Sequence, residues 1–207
     1  MKIPSMFVVL IMWAGSVMAQ LPVVQSVTHV IPGSQAKYGV NNFKMVMPGV
    51  LYRGGGTGPQ APLTSDPLQA LCNDGFEAAV YVYGKGWRGG PRLVSCGNGR
   101  LTYVSKRWDH PDKQHEIMQE LYNIIQEGHG AMYVHCWYGM HASGYIAASA
   151  LKQFCGLSDE KAVAYWNSNV PQKLQYPNVQ AKVRAFKPYP ELQIGAEQQA
   201  RVCPGGL

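Results

Sequence analysis

The sequence predicts a single α/β domain in which a central, mostly parallel sheet is flanked by helices. Short runs of β-forming residues alternate along the chain with segments in which apolar residues recur every three or four positions. One run, Ala78 to Tyr83, is apolar and aromatic throughout, which is typical of a strand buried on both faces of a parallel sheet. The 207 residues contain no internal repeat and are sufficient for one domain with a sizeable core.

The first residues have the features of an export signal. Lys2 gives a positive start, residues 6 to 13 are apolar throughout, and Val17-Met18-Ala19 places small residues before Gln20. The apolar run is interrupted at Gly15, whereas a membrane-spanning helix needs about 20 apolar residues. We therefore expect a cleaved signal peptide, a mature protein that is periplasmic or secreted, and no membrane attachment after cleavage.

The domain organisation follows from this leader and from the periodic segments. We predict a signal peptide over residues 1–19, an N-terminal extension over 20–41, the main domain over 42–190 and a C-terminal tail over 191–207. The net charge is +6, or +5 once Lys2 is removed with the leader, which mildly suits an anionic ligand. The basic residues are dispersed without a polybasic run, so nucleic acid is not an expected partner.

Five cysteines are present, an odd number for the oxidising compartment that the leader implies, so one thiol should be left unpaired. Cys136 is the best candidate for that thiol. Two structural pairs among the other four are then possible, and sequence order favours Cys72 with Cys96 and Cys155 with Cys203.

The first half of the main domain predicts a strand, a helix, a second strand and a loop. Val50 to Arg53 forms a short strand that is closed by three glycines and with which the ordered domain begins. Thr64 or Ser65 caps a helix that ends at Asn73-Asp74-Gly75. The buried strand over Ala78 to Tyr83 follows, and the glycine-rich segment 84–99 predicts a long loop.

The second half continues the alternation. Leu101 to Ser105 predicts a strand, and Asp112 is expected to cap a helix that ends at Gly128. Ala131 to His135 is a strand that leads directly into Cys136, and an alanine-rich, buried helix is expected from Ser143 onward. Two more helices are predicted, one that starts at Ser158 and one over Asn178 to Phe186.

The segment between the strand before Cys136 and the helix after Ser143 has the composition of an anion-binding loop. Gly139 and Gly144 allow a tight turn, and the helix that follows directs free backbone N–H groups and a positive dipole end at the same point. Such surroundings favour the thiolate form of a cysteine, so Cys136 is a candidate nucleophile.

This loop resembles the phosphate-binding loop of the protein tyrosine and dual-specificity phosphatase superfamily, His-Cys-x-x-Gly-x-x-Arg-Ser/Thr-Gly. The resemblance implies a phospho-cysteine intermediate on Cys136, a Ser143 hydroxyl that helps the thiolate leave, and a His135 that orders the loop. It also implies an α/β phosphatase fold. The remaining loop residues would surround the anion: Trp137, Tyr138, Gly139, Met140, Ala142 and Gly144.

The loop departs from the family at Ala142, which stands where the family has arginine. That arginine holds two phosphate oxygens and stabilises the transition state, and the loss of such a donor typically costs roughly 3 to 4 kcal/mol. His141 could donate a hydrogen bond instead. A basic side chain from elsewhere could also reach the loop, and the candidates are Arg53, Lys106 and Arg107.

The family also uses an aspartate as general acid on a loop upstream of the cysteine. Asp109, which follows a predicted strand and lies 27 positions before Cys136, resembles that acid best. A capping or turn role for Asp109 remains an equal alternative. A weaker likeness to compact dual-specificity phosphatases begins at Asn42-Phe43 and includes residues 48–53, so the resemblance covers about residues 42 to 166.

Two classes of function remain. The first is an exported cysteine phosphatase, a hydrolase that acts on a phosphorylated small molecule or phosphoprotein. The second is a pseudophosphatase that binds such a ligand or another anion with impaired or absent turnover, which Ala142 favours. A metal site formed by Cys136, His135 and His141 is disfavoured because no second ligand pair is evident, and no cofactor is expected.

Overall fold

The structure, a computed structural model, describes residues 33–58, 60–97 and 99–205 of the chain. The predicted signal peptide over residues 1–19 lies outside the described residues, as does the N-terminal extension as far as residue 32. Among the residues that are described, none of the helices combines the length and apolarity that a membrane crossing requires.

In the described part of the chain, six strands form one sheet in the order β1-β2-β6-β3-β5-β4. The four central strands are parallel, whereas β1 and β4 pair antiparallel at the two edges. The predicted class, an α/β domain with a mostly parallel central sheet, is therefore confirmed. The strands are β1 (Lys44–Met47), β2 (Leu51–Gly54), β3 (Ala78–Tyr81), β4 (Arg92–Cys96), β5 (Gly99–Ser105) and β6 (Met132–His135).

Seven α-helices and two short 3-10 turns connect and cover the strands within the described part of the chain. The 3-10 turns are Gln172–Leu174 and Pro190–Leu192. The helices are α1 (Ser34–Tyr38), α2 (Ser65–Asn73), α3 (Pro111–Glu127), α4 (Ala142–Cys155), α5 (Asp159–Ser168), α6 (Pro177–Ala185) and α7 (Ala196–Val202).

The helix ends agree with the predicted caps in some places and differ from them in others. Ser158 caps α5 by accepting a hydrogen bond from the Lys161 N–H. Gly128 ends α3 in the left-handed conformation that favours glycine. The expected cap at Asp112 is wrong, because α3 begins one residue earlier, at Pro111, with His110 at the cap position. Asp112 instead lies in the first turn, where its charge favours the positive end of the helix.

Two strands were not predicted. Segment 84–99 is not one long loop, because β4 lies within it and pairs with β5. The ordered domain also begins before residue 50, with α1 and β1. Both strands are sheet edges of only four or five residues. The side chains of β4 are only partly buried. The strand is therefore stabilised by its pairing with β5 rather than by a pattern of apolar residues.

The sheet separates two cores of different chemistry. One face carries aliphatic residues such as Val80 and Val134 and is covered by α3 to α7. The opposite face carries Tyr81, Tyr103 and Tyr133 and is covered by α1 and α2. Because side chains alternate along a strand, neighbouring residues of β6 belong to different cores.

Both disulfides have the pairing that sequence order favoured. Cys72–Cys96 joins α2 to β4, and Cys155–Cys203 joins the end of α4 to the end of α7, while Cys136 is free and buried. The second disulfide fastens the segment after residue 190, which buries Leu192, Ile194 and Val202.

Candidate functional site

The Cys136 loop lies at the carboxyl edge of the parallel strands, in the centre of the sheet. It begins where β6 ends, at His135, and it leads into α4 at Ala142. β2 and β3 flank β6 on its two sides. This edge is where open α/β sheets bind their ligands, because strand ends and helix N-termini meet there.

Cys136 is nearly inaccessible and lies beside Ser143. The Cys136 Sγ is 3.3 Å from the Ser143 Oγ, and only 3% of the residue is exposed. The Ser143 hydroxyl donates to the Gly54 carbonyl at 3.2 Å, which fixes it between β2 and the sulfur. A serine hydroxyl has one proton, so Ser143 can stabilise a Cys136 thiolate only when that proton turns from the Gly54 carbonyl to the sulfur.

His135 supports the loop from the aromatic core. Its Nε2 is 2.8 Å from the Tyr103 hydroxyl, which in turn accepts a hydrogen bond from the Leu63 N–H. Its Nδ1 is 3.3 Å from the Cys136 carbonyl oxygen, and we assign the proton to Nδ1 because that oxygen can only accept. Complete burial lowers the pKa of His135 to about 3, so the ring is neutral.

The carbonyl groups in the first half of the loop are all bound by donors from outside it. The Cys136 oxygen accepts from His135, and the Trp137 oxygen accepts from the Gly56 N–H at 3.1 Å. The Tyr138 oxygen accepts from the Asn42 side-chain amide at 2.8 Å. Three consecutive carbonyls therefore point at the surrounding protein.

The second half of the loop continues this pattern. The Arg53 Nη1 donates to the Gly139 oxygen at 2.8 Å and lies 3.5 Å from the Met140 oxygen. The Trp166 indole N–H donates to the His141 oxygen at 3.1 Å. A trans peptide carries its C=O and the following N–H on opposite sides, and the described chain contains no cis peptide. The N–H groups of residues 137 to 142 consequently face away from these donors.

Glycines allow the loop to lie directly on the end of β2. Gly139 has a φ of +72°, and a Cβ there would come within 2.5 Å of the Gly54 carbonyl carbon. A Cβ on Gly55 would lie 2.9 Å from the Trp137 oxygen. The glycines after β2 and in the loop are thus required by close backbone contact.

The loop position at which the phosphatase superfamily has arginine is buried in this chain. Ala142 is completely buried in the first turn of α4. His141 does not point into the loop, because its Nε2 is 2.9 Å from the Leu174 carbonyl and its ring stacks on Tyr176 at 4.7 Å. An Nε2–H engaged in this way is not available to an anion in the loop.

The three candidate replacements for the missing arginine have different partners. Lys106 binds Glu120 on α3 at 2.9 Å, and Arg107 binds Asp109 through two nitrogens at 2.8 and 3.1 Å. Arg53 alone among the three hydrogen-bonds to the loop.

Asp109 is held in an ion pair with Arg107 and is ionised. The hydrogen bond from Arg107 lowers the pKa of the Asp109 carboxyl below its usual value. A general acid must carry a proton, and Asp109 in this ion pair does not.

The aromatic residues of the site have distinct positions. Trp137 donates its indole N–H to the Tyr81 hydroxyl at 2.8 Å and lies 4.6 Å from the Tyr83 ring. Tyr138 is half exposed, at 49%. Trp108 packs edge-on against Tyr145 on α4 instead of contacting these rings.

Several residues that shape the loop carry no signal in the sequence. Asn42 and Trp166 were not predicted as loop donors, because they are 96 and 25 positions from the carbonyls that they bind. A metal at Cys136 and His135 is not supported, since both ring nitrogens of His135 have protein partners. A group that could hold a cation, Glu77, Glu127 and His129, lies exposed at the opposite edge of the sheet.

Comparisons with known proteins found similarity to solved structures only. No family model matches the sequence, and no curated protein matches it. Tk-PTP in its active form is similar at a TM-score of 0.46 and 17% identity, over 77% of this chain and 97% of that chain. DUSP15 is similar at a TM-score of 0.48 and 16% identity, over 76% and 92%.

A third similar structure is the human tyrosine phosphatase-like serine/threonine/tyrosine-interacting protein. Its TM-score is 0.48 and its identity 12%, over 70% of this chain and 94% of that chain. These structures belong to the superfamily that the loop sequence resembles. At such low similarity, the functional argument rests on the geometry of the loop itself.

Proposed function

We propose that this is an exported, phosphatase-like protein that binds phosphate or a similar anion at the Cys136 loop, with impaired or absent catalysis. The ligand is a phosphorylated small molecule, a phosphoprotein or another anion of the same chemistry. One observation carries the proposal, namely that donors outside the loop bind the carbonyl oxygens of residues 136 to 141.

The consequence of that arrangement is that the N–H groups of residues 137 to 142 point away from these donors, apart from the Gly139 N–H, which the antiparallel bridge between Gly55 and Tyr138 directs at β2. They precede α4, a helix of 14 residues whose dipole adds positive potential at its first turn. Consecutive backbone N–H groups at a helix N-terminus form an anion site without any charged side chain. The backbone of the loop thus supports the proposal of an anion site.

The side-chain half of the chemistry is incomplete. Ala142 offers no donor to the transferring phosphoryl group, and His141 is bound to Leu174. Asp109 is paired with Arg107 and lacks the proton that a leaving oxygen needs. Binding without efficient turnover is the function that these three features favour.

The alternative is an active cysteine-dependent phosphomonoesterase. In it the Cys136 thiolate attacks phosphorus, the phosphorus–oxygen bond to the leaving group breaks, and Asp109 protonates that oxygen before water hydrolyses the phospho-cysteine. The 3.3 Å contact between Cys136 Sγ and Ser143 Oγ favours this alternative, since it suits the departure of the thiolate. It requires Asp109 to leave Arg107 and take up a proton.

Export is supported by the two disulfides, because such bonds persist in the periplasm and outside the cell and are rare in the cytosol. The sequence of the leader favours the same compartment. Mass spectrometry of the mature N-terminus would test it, with cleavage before Gln20 as the expected result.

Phosphate binding and turnover should be measured on the same protein. We expect the native chain to bind inorganic phosphate in a calorimetric titration and to hydrolyse 4-nitrophenyl phosphate weakly. Ala142→Arg should increase turnover by about 10²-fold or more if the new guanidinium reaches the loop. Ala142→Met is the matched control, since it adds a long side chain without charge.

Two outcomes decide between the candidates. A native protein that turns over as fast as Ala142→Arg, with the activity lost in Cys136→Ser, would establish the active alternative. A native protein that shows no phosphate binding would contradict the proposal as a whole.

A further inference from the structure

Two cations lie side by side beneath the Cys136 loop, on the aliphatic face of the sheet. Arg53 on β2 is completely buried, and Lys44 on β1 is its direct cross-strand partner. Directly paired residues of adjacent strands place their side chains on the same face. The fold thus brings two positive charges together at the rear of an anion loop.

The Arg53 guanidinium is only partly satisfied by the protein. Its Nη1 donates to the Gly139 oxygen, but its Nε and Nη2 have no hydrogen-bond partner among the described residues. The Tyr165 ring lies 5.9 Å from the guanidinium carbon, and Arg53 offsets part of the rise that burial causes in the pKa of the Tyr165 hydroxyl, although the two groups make no hydrogen bond of good geometry. A buried guanidinium normally has all of its donors engaged.

Neither cation is neutralised by a carboxylate of the residues that the structure describes. The ion pairs within the described ranges all involve other side chains. Lys44 donates instead to the neutral Asn169 side chain at 2.8 Å. Burial and then the charge of Arg53 lower the pKa of Lys44 to about 8, which shows that the two cations are close enough to repel.

Lys152 is a second buried cation, and its partners show that its role is structural. Its ammonium donates to the carbonyls of Val183, Arg184 and Phe186 at the end of α6, and it pairs with Asp159 at 2.8 Å. Every donor and the charge itself are thereby satisfied. Arg53 binds two loop carbonyls through one nitrogen and pairs with no carboxylate of the described residues, so the two buried cations differ in kind.

Gly144 connects the guanidinium to the helix that follows the loop. A Cβ at this position would lie 3.2 Å from the Arg53 Nη1 and 3.2 Å from the Trp166 ring. The first turn of α4 therefore rests directly on Arg53, which places the charge next to the helix terminus that faces the anion.

We propose that Arg53, together with Lys44, provides the positive charge of the anion site. The two cations lie beneath the loop, whereas Ala142 within the loop carries no charge. The inference rests on the proposed anion site and deepens it. Arg53 acts as a positioning residue, because it orients the Gly139 and Met140 peptides so that their N–H partners face the ligand. Its uncompensated charge attracts the same ligand through a region of low dielectric, where screening is weak.

The test is a calorimetric titration of inorganic phosphate at pH 7 into the purified protein with both disulfides formed. Arg53→Met should weaken phosphate binding about tenfold or more, and Lys44→Met about threefold, because the loop loses a charge-assisted donor or a nearby cation. Arg53→Lys should recover most of the affinity, since it keeps the charge. A merely structural Arg53 would give variants whose unfolding midpoint falls while their phosphate affinity stays close to native.

Lys152→Met is the matched control, as it removes a buried cation from a site that lies away from the loop. Its midpoint of urea unfolding should fall while its phosphate affinity stays within about twofold of native. Arg53→Met should show the reverse, with an unfolding midpoint that is unchanged or higher, because an uncompensated buried charge has been removed.

The outcomes separate the two proposals. If native protein binds phosphate and Arg53→Met binds it equally well, the role of Arg53 is wrong and the anion site stands. If native protein does not bind phosphate, both are wrong. Should Arg53→Met fail to fold, Lys44→Met on the sheet edge decides, and an affinity equal to native would overturn the inference.

Discussion

His135 and Arg53 support the same loop from opposite faces of the sheet, and they do so in different ways. His135 lies in the aromatic core, is neutral, and has a partner for each ring nitrogen. Arg53 lies in the aliphatic core, is charged, and leaves Nε and Nη2 without a partner in the described chain. The hydrogen bonds of the histidine are therefore all made within the protein, whereas those of the arginine are not.

This difference predicts that the two residues contribute to different properties, one to the stability of the fold and the other to ligand affinity. A neutral, fully bonded side chain stabilises the loop whether or not a ligand is present. A buried charge without a counter-ion is unfavourable in the empty protein and becomes favourable when an anion arrives. Changes at His135 should therefore act mainly on stability, and changes at Arg53 mainly on affinity.

The largest effect is expected at Gly139, whose carbonyl Arg53 binds and whose backbone lies directly on the end of β2. Gly139→Ala places a Cβ 2.5 Å from backbone atoms of Gly54 and Gly55, at a φ of +72°. We expect a loss of about 3 kcal/mol or more in the free energy of unfolding, together with loss of phosphate binding. Urea unfolding and calorimetry would measure both.

The control is Gly75→Ala, which has a φ of +86° but open space around the added Cβ. It should cost only about 1 kcal/mol, through backbone strain alone. Equal losses in the two variants would show that the contact between the loop and β2 is not tight.

His135→Phe should be the next largest change, at about 2 to 3 kcal/mol of unfolding free energy at pH 7. The substitution fills the space but leaves the Tyr103 hydroxyl and the Cys136 carbonyl without their buried partner. Denaturant unfolding would measure it. His129→Phe, at an exposed histidine, is the control and should change stability by less than about 0.5 kcal/mol.

Acid should destabilise the native protein through His135. Its folded pKa is about 3 against 6.5 for the free side chain, so the unfolded chain binds the extra proton between these values. Stability should fall as pH drops from 6.5 toward 3, by up to about 1.4 kcal/mol per pH unit from this group. Unfolding curves at several pH values would show it, and a slope that is unchanged in His135→Phe would refute the assignment.

The smallest effect is expected from Lys44 at alkaline pH. Its folded pKa is about 8 against 10.5 for the free side chain, so the fold disfavours the charged form. Stability should therefore rise as pH increases from 8 toward 10.5, by well under about 1 kcal/mol per pH unit because the group is half exposed to solvent screening. Comparison with Lys44→Met between pH 8 and 9.5 isolates the contribution, and identical pH slopes would contradict it.

Much of the fold could be read from local patterns. The buried strand at Ala78, the helices α2 to α6 and both disulfide pairings all appear in the structure. These elements have strong signals, because each is long and periodic or buried on both faces. Edge strands β1 and β4 lack such a signal, since pairing with a neighbour provides most of their order.

The sequence by itself determined the loop: a cysteine at a strand end, two glycines, a serine, a helix start, and alanine in place of arginine. The cation that contacts this loop is evident only from the packing of the strands. Arg53 is 86 positions from Gly139, and parallel pairing of β2 with β6 brings the two within hydrogen-bonding distance. Lys106 and Arg107 carry the same charge, but ion pairs hold them elsewhere, and sequence patterns contain no information about such distant partners.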